Sequence, residues 1–431
     1  MQQALLNSSP PPTELAPVDP SSAEEKASSC RELLLAAEYL ESKTSTEGLT
    51  ARIDKAVASG ADALSATDAL ADAFLVALDL PIDDFDSLEG CMQVVLMWLK
   101  KECAMNSQLV HKISDGLCKG VKPVPEGGKS QDPRDQLRLK CMALLYNSVS
   151  EDNVDERFSL LVSTISLATK IRMVSKIVDT VLPKIDAFMR QWDRDVPEKR
   201  LMYKVSYEAL RSDHRMEQAF AFNVKHLELY NGAAEEEFLS VEDATIDVIV
   251  QAVRLEKLYR FDTLLELDAV KRFGRLQADH KLLFELISIF VRHDLAVFTD
   301  FRAKNEALLA KYEIDVAVAE KKMRLLTFAS LGIDSQDLTY GMIAKALQIS
   351  EDEVEDWVIR AIGSGLVDAK INQLTSSVSI YRSTQRMFTR EEWQPLSERI
   401  NIWKENIGDL LANLRETRQS STTAAVEAFS G

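Results

Sequence analysis

Ser350-Glu-Asp-Glu-Val-Glu-Asp-Trp-Val-Ile-Arg-Ala-Ile362, continued by Gly363-Ser-Gly-Leu-Val-Asp-Ala-Lys-Ile371 and, after a polar turn, by Val378-Ser-Ile380, is the stretch that decides the fold. Ser350 and Glu353 stand at the spacing of a capping box, which opens a helix whose buried face is Val354, Trp357, Val358 and Ile362. Gly363 and Gly365 stop that helix. Val367, Ala369 and Ile371 then alternate with polar residues, as do Val378 and Ile380 beyond a turn at Thr375 to Ser377, so the spacing predicts two short strands in a hairpin. A helix from Lys321 and a short helix over Tyr340 to Leu347 precede them. Helix, helix, capped helix, hairpin is the order of a winged helix, predicted over 321–390.

Downstream, Trp393, Leu396, Ile400, Trp403, Ile407, Leu410 and Leu414 follow one another at intervals of three and four. This is an a/d seam of about three heptads on a C-terminal helix over 391–414, started or kinked by Pro395. An apolar stripe so narrow, with two tryptophans and polar flanks, suits a helix that docks into a bundle of partner helices.

Upstream, apolar residues recur at helical spacing, as in Val154, Phe158, Leu161, Val162 and Ile165, and no strand pattern appears over 137–320. Pro183 and Pro197 suit first helical positions, and Ser240 with Asp243 reads as a capping pair. Short helices without a fixed sequence period imply an irregular stack of helix pairs. The expected fold is therefore all-α, a helical repeat stack, followed by a winged-helix module with a short β-hairpin and a terminal helix. An acidic helical region fills 30–118, and Pro123, Pro125, Gly127, Gly128 and Pro133 make 119–136 a loop or linker. The Pro/Ser-rich arm 1–29 and the small, polar tail 415–431 hold too little bulky apolar surface to offset ordering entropy, and both are expected to be disordered.

The chain of 431 residues carries a formal charge of −17, most of it in the N-terminal fifth. A bulk acidic balance opposes non-specific binding to nucleic acid or anionic membrane. The five cysteines are odd in number and form no C-x-x-C pair, so they read as reduced structural thiols. No basic segment leads into an apolar one at the N-terminus, the Asn7 to Ser9 sequon reads as a coincidence, and the apolar run Cys91 to Leu99 is too short to span a bilayer. A soluble cytoplasmic protein is the expectation.

No chemistry-bearing constellation emerges. Glu126-Gly-Gly-Lys129-Ser130 ends like a phosphate loop, but Pro123 stands where that motif needs glycine, and Pro123 and Pro125 lack the N–H donors that cradle phosphate. The five histidines, at 111, 214, 226, 280 and 293, form no short ligand pair. We expect no catalytic residue, no metal and no cofactor. The winged helix is not expected to read DNA, because Glu351, Asp352, Glu353, Glu355 and Asp356 line its would-be reading helix and repel phosphates. Lys370, Arg382, Arg386 and Arg390 around the wing leave room only for a weak RNA contact.

A helical stack running into a winged helix and a seam helix resembles the PCI domain, shared by scaffold subunits of the proteasome lid, the signalosome and a translation initiation factor. Lys322 to Phe328, Ala346 to Ile362, Lys370-Ile-Asn-Gln373, Arg386-Met-Phe388 and Trp393 to Trp403 are similar to the PCI subunits of translation initiation factor 3, although Asn372 stands where that family usually has Asp. The resemblance implies a non-catalytic scaffold whose partners are other PCI-domain subunits and, through the complex, the small ribosomal subunit. It also implies that winged-helix sheets associate edge to edge, here through Val378 and Ile380, and that terminal helices gather in a bundle. A signalosome scaffold in the ubiquitin pathway is the alternative with the same fold.

Overall fold

A computed structural model describes residues 23–414 apart from 45–47, 60–62, 81–83, 102, 104, 126, 127, 129, 131, 277, 278, 385, 387–392, 394–396 and 399. The chain forms two compact units, Met1–Leu229 and Tyr230–Gly431.

Among the described residues, the first unit is built of helices and the loops between them. Its core runs without a break from Leu33 through Phe74, Met92, Val95, Leu109, Cys141, Ile165 and Met202 to Ala219. The acidic region and the helices after the proline-rich loop therefore share one interior, and the loop is not a boundary. Val124 N–H donates to the Lys170 carbonyl (3.1 Å) and Ser130 N–H to that of Ile171 (3.2 Å) at the end of helix Val154–Lys170. Buried Arg138 donates to the Leu117 and Lys119 carbonyls and pairs with Asp79. Main-chain and guanidinium bonds that local sequence does not reveal thus tie the loop down. The division of the chain falls instead at Leu229, inside the 137–320 stretch. The first helix begins at Ala23, inside the expected disordered arm, because Ala, Glu and Lys over 23–27 are good helix formers; residues 1–22 and 415–431 lie outside the described residues.

The second unit opens with a 3₁₀ turn, Glu237–Val241, and helix α1, Glu242–Arg254. Ser240 Oγ donates back to the Glu237 carbonyl (2.6 Å), so it closes the turn and does not cap α1. Helices α2, Asp279–Arg292, and α3, Val316–Asp334, follow among shorter ones. Lys322 of α3 is buried, and its Nζ donates to the carbonyls of Ala252 (2.6 Å) and Leu255 (2.7 Å) at the end of α1 while lying 4.8 Å from the Phe261 ring centroid. A cation at a helix C-terminus satisfies carbonyls that the helix itself leaves open. Burial nevertheless pulls its pKa down to about 7.

The winged helix consists of α3, strand β1 (Asp337–Thr339), α4 (Tyr340–Leu347), α5 (Val354–Gly363), β2 (Val367–Asn372) and β3 (Ser377–Ser383). The capping box forms as read, with Ser350 N–H on Glu353 Oε2 at 3.4 Å, and it opens a 3₁₀ turn that runs into α5. Val354, Trp357 and Val358 are buried, whereas Ile362 turns outward. The sheet has three strands, ordered β1-β3-β2 and antiparallel, with Leu338 and Ile371 both opposite Val378. Leu338, Ile343, Leu347, Val358, Ala361, Val367, Val378 and Ile380 form the core against Leu325, Phe328 and Ala329 of α3. Gly332 gives the sheet close approach to the helix: a Cβ there would come within 2.8 Å of the end of the Ile380 side chain, which would have to shift to make room.

Candidate partner interface

Residues 400–414 are helical, and every one of them is exposed. The predicted seam lies along this helix: Ile400, Trp403, Ile407, Leu410 and Leu414 are each between 50% and 65% exposed, and Trp393 before it is 57% exposed. Leu396 lies outside the described residues. Leu411, which the seven-residue reading missed, is also exposed and widens the stripe; Ile402, exposed as well, is nine residues and half a turn away from Leu411 and lies off the stripe. Single exposed apolar residues are ordinary, but an ordered row of them on one helix makes this face the candidate interaction surface of the chain.

The sheet contributes differently from expectation. Val378 and Ile380 cannot meet a partner: β3 is the middle strand, and the two side chains are 0% and 4% exposed in the winged-helix core. Alternation correctly marked them as strand residues, but a third strand, β1, with one apolar residue in three, left too little pattern to show that β3 lies inside the sheet. The outer strands β1 and β2 carry the sheet's edges, and Asp368, Lys370 and Asn372 stand exposed on β2.

The basic patch also shrinks. Arg386 is buried, donating from Nε to the Leu326 carbonyl (3.1 Å) and from Nη1 to the His293 carbonyl (2.6 Å), with Asp294 3.9 Å away. It therefore braces α3 against the end of α2 and is no RNA contact. Arg390 lies outside the described residues. Arg382 pairs with Asp368 at 2.7 Å, and the Lys370 ammonium sits 5.3 Å from the Tyr381 ring centroid, so two cations remain, one of them neutralised by its neighbour.

On α5 and the turn before it, Glu351, Asp352, Glu353 and Asp356 are exposed, while Glu355 accepts from Tyr340 Oη and Gln373 Nε2 at 2.9 Å each. Arg360, the one base of this helix, lies over the Trp357 ring at 5.1 Å, with Arg324 at 5.4 Å.

Cys91, Cys141 and His226 belong to the interior, whereas His111, His214 and His293 are exposed. Burial raises the Cys91 and Cys141 pKa values to about 11 and about 12, which keeps both thiols protonated and unreactive. Burial, with Lys204 and Arg200 nearby, lowers that of His226 to about 4. Among the described residues no group of three His, Cys, Asp or Glu is placed to hold a metal ion, and no helix is long and apolar enough to cross a membrane.

The PCI domain family matches residues 303–382, which take in the whole of α3 through β2 and nearly all of β3. Similarity to curated proteins runs much further. "Eukaryotic translation initiation factor 3 subunit M" of Dictyostelium discoideum is 28% identical over 348 residues, 80% of this chain and 82% of that protein. The protein of the same name from Schizosaccharomyces pombe is 29% identical over 72% of this chain and 73% of its own length. That of Homo sapiens is 27% identical over 70% and 76%.

Proposed function

Because this chain belongs to the PCI-domain family of eukaryotic translation initiation factor 3 subunit M, we propose that it is a non-catalytic scaffold of the initiation factor 3 complex. It joins other PCI-domain subunits in the cytoplasmic assembly that binds the small ribosomal subunit and promotes mRNA recruitment. The observation that carries this reading is the exposed stripe Ile400, Trp403, Ile407, Leu410 and Leu414. Leaving such a row in water forgoes roughly 1.5–3 kcal/mol for each fully buried large apolar side chain, and a groove formed by partner helices recovers it. The free edges of β1 and β2 offer main-chain donors and acceptors to a neighbouring sheet, and the polar side chains on β2 keep that edge from pairing indiscriminately. RNA has a minor place, limited to Lys370 and the partly neutralised Arg382.

Affinity purification of the tagged full-length chain from its own cells, followed by mass spectrometry, tests the proposal. Initiation factor 3 subunits recovered in amounts comparable to the bait support it. Recovery of the chain alone, or with signalosome subunits, overturns it.

A further inference from the structure

The outer face of α5, unlike the seam, combines charge with apolar surface. Residues three and four apart share one side of an α-helix, which places Asp356, Ile359 and Gly363 in one row of α5, with Glu355, Ile359 and Ile362 in the adjoining one, while Asp352 lies in the 3₁₀ turn just before the helix. Ile359 is 58% and Ile362 37% exposed, and Asp352, Asp356, Glu351 and Glu353 make no ion pair among the described residues. The helix's one base, Arg360, lies over the Trp357 ring at 5.1 Å and leaves the acidic residues of this face in excess. An occupant complementary to a surface that exposes two isoleucines beside unpaired carboxylates carries both apolar side chains and positive charge.

We propose that this face of α5 docks a basic, apolar-bearing polypeptide segment of a partner subunit, an inference that rests on the scaffold reading above. Nucleic acid is opposed by the carboxylates. A second copy of this chain, meeting itself across a two-fold axis, would bring the same carboxylates together. The chain's own ends do not fit either: residues 1–22 contain Glu14 and Asp19 and no Lys or Arg, and residues 415–431 balance Arg415 and Arg418 against Glu416 and Glu427. Charge complementarity therefore assigns the occupant to another protein, with Lys or Arg facing Asp352 and Asp356 and an apolar side chain against Ile359 and Ile362.

The test places a photo-crosslinking amino acid at position 359 of the full-length chain, purifies the assembled complex and identifies the captured peptide by mass spectrometry. The expected product is one segment of another subunit with net positive charge and at least one large apolar residue, and its yield falls at least tenfold in the charge reversal Asp352→Lys/Asp356→Lys. That variant still recovers the complex, because the seam helix holds it in place. Capture of RNA, of an acidic or neutral segment, or of nothing from an intact complex overturns the inference and leaves the scaffold reading standing. Failure to recover any complex with the unmodified chain overturns the scaffold reading itself.

Discussion

Replacing Arg386 by alanine separates the two roles this residue could have, a surface contact to RNA or an internal brace. The His293 carbonyl lies just past the last turn of α2, where the helix supplies no N–H, so the guanidinium is the donor that satisfies it. Losing a hydrogen bond to a charged donor there costs about 1.5–3 kcal/mol. The Leu326 carbonyl lies inside α3, where an acceptor normally has a helical partner as well, so its share is smaller. Against both stands the relief of a guanidinium that burial holds down at about 10. The net loss is about 2 kcal/mol, which for a unit of roughly 200 residues lowers the midpoint of its thermal transition by about 4–8 °C. Arg386→Lys should fall between, since one ammonium cannot reach both carbonyls in the geometry of a planar fork. The assay is a calorimetric melt of the full chain alongside RNA binding by fluorescence anisotropy. An unchanged melt with weakened RNA binding would refute the brace and restore the surface contact.

Burial of His226, 2% exposed, makes the first unit acid-sensitive: the unfolded chain takes up a proton below pH 6.5 while the folded one resists until about 4, so stability is present above pH 6.5 and falls as the pH drops through that window, by up to about 3 kcal/mol. Denaturant melts at pH 7 and 4.5 should show this slope, and His226→Gln should flatten it. Lys322, with its pKa lowered to about 7, has the same sign at higher pH, because between about 7 and 10.5 the unfolded chain again binds more protons. Its contribution to stability therefore rises with pH across that window, and Lys322→Met should remove the pH dependence there, as urea titrations at pH 7 and 9.5 can show. The full chain should bind duplex DNA no better than an acidic control protein; sub-micromolar, sequence-specific anisotropy changes at physiological salt would contradict the part given to the carboxylates of α5.

Much of the second unit was legible because its signals are local. The Ser350–Glu353 box, the glycines after Ile362 and the alternation in β2 and β3 each lie within a few residues, and each forms as read. What sequence did not show depends on distant partners. β1 is a strand only because β3 passes beside it. The same neighbour makes β3 central and takes Val378 and Ile380 away from any partner. Arg386 has the composition of a surface residue, and only carbonyls 60 and 93 positions away make it internal. In the first unit the proline-rich loop looks like a linker because prolines and glycines usually are one, yet Arg138 and the end of helix Val154–Lys170 bind it into a single core. The seam was readable for a related reason: its heptad intervals are local, and its exposure leaves the pattern uninterrupted by intramolecular packing demands.

The seam helix carries the central claim, and the double substitution Trp403→Ala/Ile407→Ala tests it most directly. Both side chains are more than half exposed in the free chain, so removing them should leave its melting midpoint and helical circular dichroism within error of the parent. If they are anchors at the centre of an interface, their loss should cost on the order of 2 kcal/mol or more each. The tagged variant should then recover initiation factor 3 subunits at least thirtyfold less efficiently than the parent while remaining fully folded. A variant that assembles as the parent does, or that unfolds before it loses its partners, would contradict the account.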